Sequence, residues 1–227
     1  MDALVRPAGI AALVICAAFA VHNLNGAWIE PTYLGFAGYG DYADLAKLQG
    51  ASRALPWLAS GLGHLFSGFA MVVLALGAFA RFRATRPATA GLLVSAGLVA
   101  AVGFLLLGFS HVIGRQSLFL LGDRNPAMRD PLYATATFVR ILFNSLAQVG
   151  LGAFAMLLSA CAWRDRALPR AFCGYGYLSG AAGLAMAFAY VPVYLYTVFL
   201  WSGWLGVLLL RRPASVPQRG DPRPRAV

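Results

Sequence analysis

Six long apolar runs alternate with short polar connections along the chain, at roughly 7–28, 57–80, 89–113, 134–162, 171–190 and 192–210. Crossing ~30 Å of hydrocarbon takes about 20 helical residues, and each run approaches that length. Lipid offers no partner for a stray backbone N–H or C=O, so each run is predicted to be a helix. The strict alternation of a transmembrane barrel strand is absent. The predicted fold is therefore all-α: a polytopic membrane protein forming a six-transmembrane-helix bundle over residues 1–212. The last two spans make a tight hairpin around Pro192, and a proline-rich tail, 213–227, is predicted to be disordered.

Arg6, an apolar run and "AAFA" resemble a signal-peptide cleavage pattern, but the first segment is read as a retained helix. Two outer connections, about 29–56 and 114–133, are longer than the inner ones "RFRATRP" and "RDRALPR". Function is expected on the outer side. The first outer connection holds "YLGFAGYGDY" and then "DLAKLQGASRAL", which is predicted to form a short amphipathic interfacial helix. The second, "GDRNPAMRDP", carries turn chemistry at both prolines. Trp28 and Trp57 are expected at the outer ends of the first two spans and Trp163 at the inner end of the fourth, as an aromatic belt. Gly176 and Gly180 form a GxxxG that permits close helix approach.

The composition agrees with this pattern, with 60% hydrophobic and 11% charged residues. A net charge of +10 would suggest nucleic acid until its placement is considered. Arg6, Arg81, Arg83, Arg86, Arg164, Arg166, Arg170, Arg211, Arg212, Arg219, Arg223 and Arg225 all fall on one side of a six-span topology. By the positive-inside rule that side is cytoplasmic, and with it both termini. The expected partners are anionic lipids on that side, possible neighbouring membrane subunits, and no nucleic acid. Arginine dominance over Lys47, the sole lysine, with abundant Ala and Gly, points to a bacterial inner membrane. Cys16, Cys161 and Cys173 are odd in number, lack CxxC spacing, and read as small packing residues.

The chemistry lies in three histidines. In "CAAFAVHNLNGAWIEP", His22 comes six residues before Trp28, roughly 9 Å from the outer end at ~1.5 Å per residue. His64 is seven residues past Trp57 on an inward-running span, roughly 10 Å deep on the same rise. His111 is four residues before Arg115, roughly 6 Å in. All three are predicted to lie in one layer of the outer leaflet. Thr137, Arg140, Asn144 and Gln148 are spaced by three, four and four and so share one face of the fourth span. Ser60, His64 and Ser67 share a face of the second, and His22 and Asn25 one of the first. Polar faces cannot meet lipid cheaply, so they should converge inside the bundle. Arg140 calls for a partner, Glu30, Asp41 or Asp44 being the candidates, or an anionic ligand group.

Imidazole is a common metal ligand and an axial ligand of haem iron. The expected site is His22, His64, His111, Arg140 and Asn144, binding either a haem b or a transition metal (Cu, Zn or Fe) through the three histidines. Three histidines allow at most one bis-histidine haem. Such a site suits a redox or electron-transfer subunit. The alternatives are a metal-free transporter or a quinone- or lipid-binding protein using the same polar residues, or a structural subunit of a membrane complex. A faint likeness between "GLGHLFSG" and "GYGYLSG" is the one feature favouring a transporter built on an inverted repeat. An intramembrane serine protease would need a histidine after His111, and a ceramidase-type zinc hydrolase a late HxxxH. Both are missing.

Overall fold

The structure is a computed structural model that describes residues 4–35, 41–189 and 193–211. The 36–40 part of the Gly- and Tyr-rich loop, the turn at Pro192 and the 213–227 tail lie outside the described residues. Within them the protein is helical, with no strand. Four helical stretches are long and apolar enough to cross a membrane: Val5–Tyr33, Ser52–Phe82, Pro87–Arg124 and Pro126–Arg164. The chain is thus built as a membrane-embedded protein.

The long helices are α1 (Val5–Leu24), α4 (Ala51–Phe82), α5 (Pro87–Phe109), α7 (Arg129–Arg164), α8 (Arg170–Ala189) and α9 (Val193–Leu210). Short helices α2 (Glu30–Tyr33), α3 (Tyr42–Ala46) and α6 (Arg115–Arg124) cover one end. Each long helix packs on its chain neighbours, and α1 also packs on α9, so the six close into a ring. The ring has no lumen, because Ile15, Met71, Leu74, Phe104, Phe154 and Trp201 fill its centre, each below 2% exposure. Small residues set the crossings. A side chain on Gly180 would lie 2.6 Å from the Gly152 carbonyl, and one on Gly152 would lie 2.8 Å from that of Gly180. Such contact lets van der Waals packing hold helices together where lipid leaves no hydrophobic driving force between them.

At the end opposite the site, Asp165 follows α7 and ties the connections together. Arg86 donates from Nε to Oδ1 at 2.7 Å, and Thr85 Oγ1 donates to Oδ2 at 3.0 Å. The helix terminates because Arg166 adopts a left-handed φ of 49°. That lets Ala167 N–H reach the Ala162 carbonyl at 2.8 Å and Arg166 N–H the Trp163 carbonyl at 3.3 Å, the pairing of a Schellman C-cap. The first turn of α1 and the last of α9 meet at this same end, where Gly9 faces Leu209 and Leu210.

Three expectations about the opposite end need correction. The connection 114–133 is not an extended loop. Helix continues past His111 through a π turn, Ser110–Gly114, and on through α6, leaving Asn125 and the short 3-10 turn Pro126–Met128 as the bend. The stretch Arg115–Arg124 lacks proline, and it buries Leu118, Phe119 and Gly122 on one side. "DLAKLQGASRAL" does not form one interfacial helix: α3 ends at Ala46, and Gly50, with an extended ψ of 143°, begins α4. Trp57 does not belong to a lipid belt, being only 8% exposed and packed with Tyr42, Leu45, Leu48, Leu118 and Phe119 beneath the short helices. Trp28 and Trp163, at 50% and 45% exposure, do face outward.

Candidate functional site

The three histidines meet. The His64 ring lies 5.1 Å from that of His22 and 5.3 Å from that of His111, centroid to centroid. They come from three helical segments, and the physical cause of each placement is local. On α4, Ser60, His64 and Ser67 follow one another at four and three residues, so a single face turns all three inward, none above 9% exposure. Phe104 stacks on His64, with centroids 6.2 Å apart and planes 13° from parallel.

A first π turn, Asn25–Ile29, begins three residues after His22, and His111 lies within a second, Ser110–Gly114. An inserted residue of this kind shifts the helical register and is frequent at functional sites. The first π turn has a clear anchor. Asn25, 4% exposed, donates from Nδ2 to the Pro56 carbonyl at 2.8 Å and to Ser60 Oγ at 3.1 Å. The second is anchored by Trp57, whose Nε1–H donates to the His111 carbonyl at 3.0 Å while its ring stacks on the imidazole. Gly61 makes this approach possible, since a Cβ there would lie 2.9 Å from both His111 Cβ and Val112 Cγ2.

The polar face of α7 joins the cluster in part. The Arg140 guanidinium lies 5.9 Å from the centre of the Trp57 ring that stacks on His111. Asn144, also expected at the site, accepts at Oδ1 from Gln148 Nε2 at 3.2 Å. Of the carboxylates considered for Arg140, Asp41 accepts from the Asp44 backbone N–H at 2.8 Å and Asp44 pairs with Lys47 at 2.6 Å. Both are engaged within α3. Sequence reasoning missed Trp57, Gly61 and Phe104, which hold the imidazoles in place. Gly61 was not singled out because small residues, Ala59, Ser60 and Gly63 among them, surround it in the sequence.

The cluster has spare bonding capacity. Nδ1 of His22 and Nδ1 of His111 are buried without a hydrogen-bond partner. Two imidazoles sharing one tetrahedral ion, with metal–nitrogen bonds near 2 Å, would have ring centres about 5 Å apart, which matches both measured separations. As the side chains stand, no three His, Cys, Asp or Glu groups among the described residues converge on one point. A haem fits less well, because a porphyrin needs a slot between its axial rings, and the His64 ring is in contact with both other imidazoles and stacked on Phe104, while His111 is stacked on Trp57.

Fold and site together define an all-helical, membrane-embedded protein with a buried histidine cluster near one end of its bundle. Comparison with protein-family models, with curated proteins and with solved structures gave no match.

Proposed function

We propose that the protein crosses a bacterial cytoplasmic membrane six times with both termini inside. On this reading it holds one transition-metal ion in its outer half on His22, His64 and His111. Its role is redox or electron transfer, as a subunit of a membrane complex.

The observation that carries the metal reading is the contact of the His64 imidazole with those of both His22 and His111, brought from distant positions to 5.1 and 5.3 Å. Neutral imidazoles in an apolar interior, two of them with unpartnered ring nitrogens, are suited to metal ligation. Completing the set would require the His22 and His111 rings to turn toward a common point with His64, His111 moving against the Trp57 face on which it stacks. The ring contacts favour a single ion over a haem b. Such an ion would supply a redox couple or a Lewis-acid centre when bound. Trp57 and Asn25 would fix the ligand-bearing segments, and Phe104 would shield the centre from the bundle interior.

The six-span count is supported by α8 and α9, which complete the ring beside the four longest helices. The inward orientation rests on the arginines gathered at the Arg86–Asp165 end.

The test is elemental analysis and an absorption spectrum of the full-length protein purified in mild detergent. The expected result is about one equivalent of Cu, Zn or Fe, lost in His64→Phe. A Soret band would move the assignment to haem. Neither a Soret band nor stoichiometric metal would remove the cofactor reading and leave a metal-free binding or structural protein.

A further inference from the structure

Beside the histidine cluster lies a cavity of about 260 Å³ bounded by the second π turn, α6 and the outer part of α7. It is distinct from the space between the imidazoles, although His111 forms part of its wall. Leu118 and Leu121 give it an apolar surface, while His111, Arg115 and Arg140 bring polar groups to it. Leu121 and Ala136 are also exposed, so the cavity reaches the outside of the bundle between α6 and α7.

The composition of this wall restricts what would occupy it. An apolar cavity of ~150 Å³ takes up benzene, so this one has room for a substituted six-membered ring or a short length of acyl chain. Small-molecule sites are typically apolar with a few convergent polar groups that orient the ligand, and here those groups are guanidinium groups. Guanidinium has five N–H donors and no acceptor, so it selects oxygen acceptors. His111 is only 7% exposed and forms wall here, its ring nitrogens being left to the histidine cluster.

We propose that this cavity binds an apolar molecule with an oxygen-acceptor head, a quinone or a fatty acid, the head meeting Arg140 and the remainder lying along Leu118 and Leu121. The site does not require the metal. Ligand enters between α6 and α7, where Ala136 stands at the rim.

The test titrates the full-length protein, in detergent with a chelator present, against a decyl-substituted benzoquinone and separately against decanoate, followed by calorimetry. One saturable site is expected for one of the two. Saturation by the quinone alone identifies a carbonyl head, and saturation by decanoate alone a carboxylate. Ala136→Trp fills the rim and is expected to weaken binding at least tenfold without changing metal content. Leu121→Phe narrows the same cavity and serves as a second blocking variant, with far-ultraviolet dichroism and a monodisperse elution profile as the folding control. Arg140→Gln is expected to weaken binding by a similar factor. No saturable binding of either compound, or binding that both blocking variants leave unchanged, overturns the proposal. Metal content, measured on the same preparations, reports separately on the histidine cluster.

Discussion

Trp57 lies flat against His111, ring centres 4.6 Å apart and planes 17° from parallel, and donates its indole N–H to that residue's own backbone carbonyl. One side chain therefore fixes both the imidazole and the π turn that carries it. Replacing Trp57 with Phe retains an aromatic face and removes the donor. The expected cost is about 1 kcal/mol of stability and a fall of roughly tenfold or more in affinity for the proposed metal, since ligand-orienting groups typically contribute that much. Thermal unfolding with and without added metal measures both.

Gly61 permits the close contact of α4 with the second π turn. In Gly61→Val, branches would be added where even a Cβ already sits 2.9 Å from His111 and Val112. Overpacking of this kind costs about 1–3 kcal/mol. The π turn is expected to move away, separating His111 from His64. A lower thermal midpoint together with reduced metal content is the expected outcome, and an unchanged metal content would count against the cluster as a binding site.

Asn25 joins the first π turn to α4. Asn25→Leu removes both of its bonds and leaves the buried Pro56 carbonyl and Ser60 hydroxyl without that donor. The expected loss is about 1–3 kcal/mol, read as a lower midpoint in a detergent unfolding titration.

At the other end, the Arg86 guanidinium, then Thr85, hold the Asp165 carboxyl below its ordinary range. A carboxylate depressed on folding stabilises the protein above its unfolded pKa of about 3.9, and that contribution disappears as pH falls through the lower folded value. Wild type and Asp165→Asn should therefore differ most near neutrality, by about 1 kcal/mol for a surface network of this size. The difference should shrink as pH drops below about 4. Thermal midpoints of the two proteins across that range test the sign.

Arg166 terminates α7 with a left-handed backbone at φ 49°. Glycine adopts that conformation without the Cβ penalty. Arg166→Gly is expected to raise stability by about 0.5–1 kcal/mol, measured as a higher thermal midpoint.

Hydropathy was enough to locate every long helix, because a stretch that must satisfy its own backbone in lipid has little choice but to be helical. Helix ends were less legible. Helix runs on from α5 through the second π turn and α6 to Arg124, and α7 begins at Arg129, both beyond the apolar runs 89–113 and 134–162, since α6 and the start of α7 pack on one another through Leu118, Leu132 and Tyr133 rather than on lipid. The expected depths of His64 and His111 were counted from Trp57 and Arg115, and neither Trp57 nor Arg115 ends its helical stretch, since α4 begins at Ala51 and helix continues to Arg124. Contact between the imidazoles could not be inferred, because residue spacing says nothing about which faces of three separate helices turn toward each other.

What the amino-acid order determined by itself was the helical class and the apolar stretches, which follow from the pattern along one chain segment. What only the tertiary structure decided was that α1 closes the ring against α9, that π turns rotate His111 inward, and that Trp57 leaves the expected lipid belt to hold it. The reason is physical: close approach at Gly61 and Gly180 depends on the shape of a partner helix far away in sequence, and no local pattern encodes that shape.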